Sequence, residues 1–109
     1  MYVYRVEHED PRVPYGPYNC GVAIKPHLYD DDHPSPAQSG IEMERDDFSC
    51  FTKKEDLTKW FKASDLSFFR KLGFETFRYE VKTADVKFGD KQAAFKKDRA
   101  FKREKVTLH

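Results

Sequence analysis

The stretch Ser64-Asp65-Leu66-Ser67-Phe68-Phe69-Arg70-Lys71-Leu72-Gly73-Phe74-Glu75-Thr76-Phe77-Arg78-Tyr79-Glu80-Val81-Lys82 changes its apolar period at a glycine. Upstream, Leu66, Phe69 and Leu72 share one helical face. Ser64 or Asp65 is suited to cap that helix, and Gly73 to close it in the left-handed conformation. Downstream, Phe77, Tyr79 and Val81 alternate with Arg78, Glu80 and Lys82, the period of a half-buried strand. Working back toward the N-terminus, Thr52 and Glu55 stand at the spacing of a capping box. Leu57, Trp60 and Phe61 follow at i, i+3 and i+4, so one or two helices are predicted in mid-chain. Tyr2 to His8 alternates as a first strand, with Tyr2, Tyr4 and Val6 on the face taken as core and Val3, Arg5 and Glu7 opposite. Cys20 to Ile24 and Asp47 to Phe51 are short strand candidates. Val86 to Phe88 and Lys91 to Phe95 form a hairpin around a turn that contains Gly89. The order predicts an α+β fold with a small, largely antiparallel sheet. Residues 1–95 make the single domain, and 96–109 are expected as a basic tail or short helix. Residues 26–40, with Pro26, Pro34 and Pro36, are expected as a long loop.

The composition supports one core. In 109 residues there are 10 Phe, 6 Tyr and 1 Trp, and aromatic side chains bury the most area per residue. No apolar run reaches the roughly 20 residues of a membrane span. Met1-Tyr2-Val3-Tyr4-Arg5 lacks the basic-then-apolar order of a secretory signal, so a cytosol and reduced Cys20 and Cys50 are expected. The net charge of +1 hides an asymmetry. Residues 1–56 hold six Lys/Arg against twelve Asp/Glu, and residues 57–109 hold fourteen against seven. A dipolar molecule is therefore expected, its acidic pole formed by Asp30, Asp31 and Asp32 with Glu42, Glu44, Asp46 and Asp47, and its basic pole by Lys96, Lys97, Arg99, Lys102 and Arg103. The candidate partner-binding residues are Asp30, Asp31, Asp32 and these five bases. The plain alternative for each pole is a solvated face.

His27, His33 and the aspartates between them lack the three or four ligands at fixed geometry that a zinc site needs, so no metal is predicted. The five glycines are scattered, and no phosphate loop is present. The basic segment, interleaved with Phe95 and Phe101, has the ingredients of nucleic-acid contact, namely phosphate neutralisation with base stacking. Arg5, Ser49, Thr52 and Gln92 form a further constellation. Arg5 and Gln92 are each placed opposite a core-facing residue, and Ser49 and Thr52 bracket a strand-to-helix junction where an anionic or amide ligand finds donors. The structural alternative pairs Arg5 with Glu7 or Glu80 on a wet sheet face and leaves Gln92 as an exposed strand residue.

In motif order the chain resembles the Arg-Ser-Glu branch of the ADP-ribosyltransferases. Tyr4-Arg5 is similar to its aromatic-Arg pair, Phe48-Ser49-Cys50-Phe51-Thr52 to its Ser-Thr-Ser strand, and Gly89 to Phe95 to its late Glu-x-Glu region. Gln92 stands there at the position of the catalytic Glu. The resemblance implies NAD or an ADP-ribose compound in a cleft containing Arg5, Ser49 and Gln92, and if catalysis occurs, ADP-ribosyl transfer to a host target. A neutral Gln92 cannot supply the carboxylate's electrostatic role.

The outline through about Phe95 also resembles small phage- and prophage-encoded proteins. The shared features are Tyr4-Arg5-Val6-Glu7, Gly16-Pro17-Tyr18, His33-Pro34-Ser35-Pro36, Leu57 with Trp60-Phe61, Gly73-Phe74, and Gln92 with Phe95. Tyr18 joins Arg5, Ser49, Thr52 and Gln92 as a ligand-binding candidate. Phage accessory proteins often inhibit host defence or replace a host activity. The reading favoured is a binder of a host macromolecule, such as an anti-CRISPR or anti-restriction protein, acting through charged surfaces without a cofactor. The NAD-dependent transferase and the nucleic-acid binder stand as alternatives.

Overall fold

A computed structural model describes residues 1–10, 12, 36 and 38–107. The expected Cys20 to Ile24 strand and most of the 26–40 loop lie outside them. The described elements are β1 (Tyr2–His8), β2 (Asp47–Cys50), α1 (Lys54–Trp60), α2 (Ala63–Lys71), β3 (Phe74–Glu80), β4 (Val86–Phe88), β5 (Ala93–Lys96) and β6 (Lys102–Lys105). Two antiparallel three-stranded sheets result, in the orders β1-β3-β6 and β2-β5-β4. The bridge between Tyr4 and Phe51 joins them. The fold is α+β.

The helical layer and the space between the sheets each have an apolar cluster. Val6 of β1 and Phe74 of β3 pack with Phe51, Leu57, Trp60, Phe61 and Phe69. Full burial of Leu57 and Phe69 contributes about 2 kcal/mol each. The second cluster sets Val3, Phe77, Tyr79 and Val81 against Cys50, Val86, Ala93 and Phe95. The first strand is thus covered on both faces, which corrects the expected orientation. Val3, Arg5 and Glu7 are all buried, while Tyr2, placed on the core side by alternation, is 41% exposed.

Three local expectations also change. The helix after β2 starts at Lys54, and its N-cap Lys53 makes no side-chain cap, so the Thr52 capping box does not form. The physical reason is that Phe51 exchanges backbone hydrogen bonds with Tyr4 (2.7 and 2.8 Å), which holds the chain extended to the edge of Thr52. In α2, Asp65 acts from inside the first turn, its carboxylate accepting the Lys62 backbone N–H at 3.0 Å. The segment expected as a tail or short helix is a 3-10 turn over Lys97–Arg99 followed by β6, which pairs with β3 from Phe77↔Lys105 to Glu80↔Lys102. Gly73 does take the left-handed backbone, at φ 90°. In the β4-β5 turn Lys91, rather than Gly89, has the positive φ (63°).

Candidate functional site

Alternation along β1 sends Arg5 and Glu7 to the face between the sheets, where an isolated charge would be strongly disfavoured. Glu7, 1% exposed, is therefore enclosed by donors. Arg5 Nε lies 3.2 Å from its carboxylate, Lys97 Nζ 2.9 Å and Arg103 Nε 2.8 Å. The Tyr79 hydroxyl also donates to it. Burial pushes the Glu7 carboxyl up, but the hydrogen bonds from Tyr79, Lys97 and Arg103 outweigh it and hold the group below its ordinary value. Tyr79 is pushed up by burial and by its bond to Glu7, so it remains the donor.

Aromatic faces carry the cations. The Arg5 guanidinium lies 5.1 Å and Lys97 Nζ 5.2 Å from the Phe48 ring centre, and the Arg103 guanidinium 3.6 Å from that of Phe77. Arg5 Nη1 also donates to the Ser49 carbonyl oxygen at 2.8 Å, with Ser49 Oγ at 3.5 Å. Four residues singled out in the sequence (Arg5, Ser49, Lys97 and Arg103) therefore meet in one cluster. The expected pairing of Arg5 with Glu7 occurs, but on a buried face instead of a wet one.

Gln92 is buried and not an exposed strand residue. Its Nε2 donates to Ser39 Oγ at 3.2 Å, where residues 39–41 cross the β4-β5 turn. Thr52 is half-buried in the bend after Phe51. Tyr18, Cys20, His27, Asp30, Asp31, Asp32 and His33 lie outside the described residues. Cys50 packs in the core, and burial, opposed slightly by the charge of Arg5, pushes its thiol far above the ordinary range, which makes it a poor nucleophile.

Lys96 points away from Lys97 into a second cluster. Its Nζ lies 2.9 Å from Asp47, 2.8 Å from Asp46 and 3.1 Å from Glu44. Lys87 reaches the same group, 2.7 Å from Asp47 and 2.9 Å from Glu44. Burial raises the Asp47 carboxyl, but bonds from Lys87, Lys96 and the Glu44 backbone overcome this and bring it down to about 2.

These pairs explain the charge asymmetry. Glu7, Glu9, Glu44, Asp46 and Asp47 of the first half are matched by Lys87, Lys96, Lys97, Arg103 and Lys105 of the second. Of the expected acidic pole, Glu44, Asp46 and Asp47 are thus paired by Lys87 and Lys96, while Asp30, Asp31 and Asp32 lie outside the described residues. Sequence distance gives no sign of spatial pairing, and no local pattern announces Tyr79 as a member of the Glu7 group.

Two of the five candidate basic residues remain well exposed. Arg99 and Lys102 have side chains 67% and 64% accessible. Between them lies Phe101, 62% exposed, with Lys82 Nζ 5.9 Å from its ring centre. Phe95, considered with Phe101 as a stacking platform, is fully buried. Val6, Leu66, Phe69, Arg70, Phe74, Glu75 and Thr76 line a shallow, solvent-open recess. Among the described residues no three His, Cys, Asp or Glu side chains gather as a metal site. None of their helices is long and apolar enough to cross a membrane.

Residues 1–109 match the sequence family described as Bacteriophage T4 Y00F protein. The chain belongs to that phage family. No curated protein and no solved structure matches it. The likeness to small phage-encoded proteins is thereby supported at the level of family, and the likeness to ADP-ribosyltransferases is not. A phage-encoded accessory protein is the coarse identity that this membership supports.

Proposed function

We propose that this phage accessory protein binds a host protein with an acidic surface, in the manner of an anti-CRISPR or anti-restriction inhibitor. The exposed Phe101 ring, with Lys82 Nζ 5.9 Å from its centre and the exposed Arg99 and Lys102 beside it in the chain, carries the reading. An aromatic anchor with a cationic rim is the composition of a binding hot spot. Arg99 and Lys102 reach Asp85 and Glu104 at 3.1 and 3.8 Å, and because both cations are themselves well exposed they can swing to a partner's carboxylates at small cost. A protein partner is favoured over a nucleic acid because Phe95 is buried and offers no face for base stacking, and Lys96 already faces carboxylates. No cofactor enters this reading, and its expected place of action is the cytosol of the host cell.

Affinity capture from host-cell extract tests it, comparing the intact chain with Phe101→Ala/Lys102→Glu. The expected result is a nuclease-resistant protein partner, released by salt and lost with the double variant. Capture of nucleic acid alone, or equal recovery by both chains, would overturn the proposal.

A further inference from the structure

We propose that the Glu7 cluster is also an oxyanion-binding site, taking a phosphate group or a partner's carboxylate between Lys97 and Arg103. The inference goes beyond the partner surface at Phe101 and does not depend on it. Its basis is the local charge count. Three cations lie within 3.2 Å of one carboxylate, and among the described residues Glu7 is the only carboxylate at ion-pair distance from any of them. The surplus is two positive charges. One of them, Arg5, is 5% exposed, and the Lys97 and Arg103 side chains are 21% and 33% accessible.

The aromatic faces of Phe48, Phe77 and Tyr79 cover the flanks of these cations. Such contacts stabilise a cation without neutralising it and leave its N–H edges available. Arg5 uses Nε and Nη1, Arg103 uses Nε and Nη2, and Lys97 directs one bond to Glu7. A guanidinium has five N–H donors and an ammonium three, so further donors remain on all three side chains. Forked and point donors around one position are the means by which proteins hold phosphate and carboxylate. The half-buried Ser49 hydroxyl, 3.5 Å from Arg5 Nη1, stands beside them. The neighbouring Asp47 cluster has the reverse balance, with Glu44, Asp46 and Asp47 around Lys87 and Lys96. The Asp47 group therefore does not share the anion preference of the Glu7 group.

The test is a titration of the full chain with inorganic phosphate and, separately, with a tetraglutamate peptide, at constant ionic strength. It follows the arginine Nε–Hε resonances by NMR. Saturable shifts at Arg5 and Arg103 are expected, with binding about tenfold weaker in Lys97→Met and restored in Lys97→Arg. Lys105→Met, which removes a cation paired with Glu9, is expected to change nothing. A response to phosphate alone assigns the site to free or esterified phosphate; a response to the peptide alone assigns it to a partner's carboxylate. The absence of a saturable shift with either probe in the intact chain overturns the proposal, whether or not the variants fold. So does undiminished binding by folded Lys97→Met.

Discussion

Replacing Glu7 with Gln keeps the side chain's size and an acceptor for Tyr79 but removes the one negative charge shared by Arg5, Lys97 and Arg103. Lys97 and Arg103 can turn toward water, whereas Arg5 is 5% exposed and held by the Ser49 carbonyl. Removing one member of a buried ion pair costs about 3–5 kcal/mol, out of a total stability on the order of 5–15 kcal/mol for a domain. At several degrees per kcal/mol for a chain near 100 residues, the expected fall in Tm is roughly 15 °C. The single Trp60 is buried against Phe51, ring centres 5.4 Å apart, so urea unfolding followed by its fluorescence reports the loss directly. Because the folded-state Glu7 carboxyl lies below its ordinary 4.5, the difference between the two chains is full at neutral pH. It shrinks as pH falls through the folded value and Glu7 itself becomes neutral. A loss under about 1 kcal/mol at pH 7 would refute the reasoning, because that is the scale of an exposed pair.

Asp47 gives the second pH signature: with the folded carboxyl at about 2 against 3.8, its stabilisation is complete above about pH 5 and is lost progressively as pH falls to about 1. The stability gap between the native chain and Asp47→Asn, measured by urea titration at several pH values, is expected to close over that window. A pH-independent gap contradicts the assignment. Gly73→Ala should destabilise by about 2 kcal/mol or more, because the residue sits at φ 90° and a Cβ there would lie 2.6 Å from His8 Nε2; thermal unfolding at unchanged Tm counts against this. Buried Cys50 should resist iodoacetamide at pH 8 until urea unfolds the chain, as read by peptide mass mapping, and rapid native labelling there would show that β2 opens.

The helix-to-strand change at Gly73 was legible because both elements carry strong periodic apolar patterns and the glycine between them has one conformational task. β6 was not, since Lys102-Arg103-Glu104-Lys105 has no apolar alternation. Its strand geometry comes from pairing with β3 and from Arg103 reaching Glu7. The Thr52 box had the right residue types, but pairing of Phe51 with Tyr4 moved the helix start downstream. At the site, the sequence singled out Arg5, Ser49, Lys97 and Arg103 without showing that they meet. Period-two alternation assigned charged Arg5 and Glu7 to a wet face because it carries no information about a second sheet closing over β1. Composition by halves likewise does not reveal that Glu44, Asp46 and Asp47 lie against Lys96 or Glu7 against Lys97 and Arg103.

Hydrogen exchange on the chain bound to its captured host partner is the most direct test of a binding surface at the β6 edge. Slowed exchange at residues 99–105 and at Lys82, lost with Phe101→Ala/Lys102→Glu, is the predicted result. Protection confined to other segments, with residues 99–105 unchanged on binding, would contradict it.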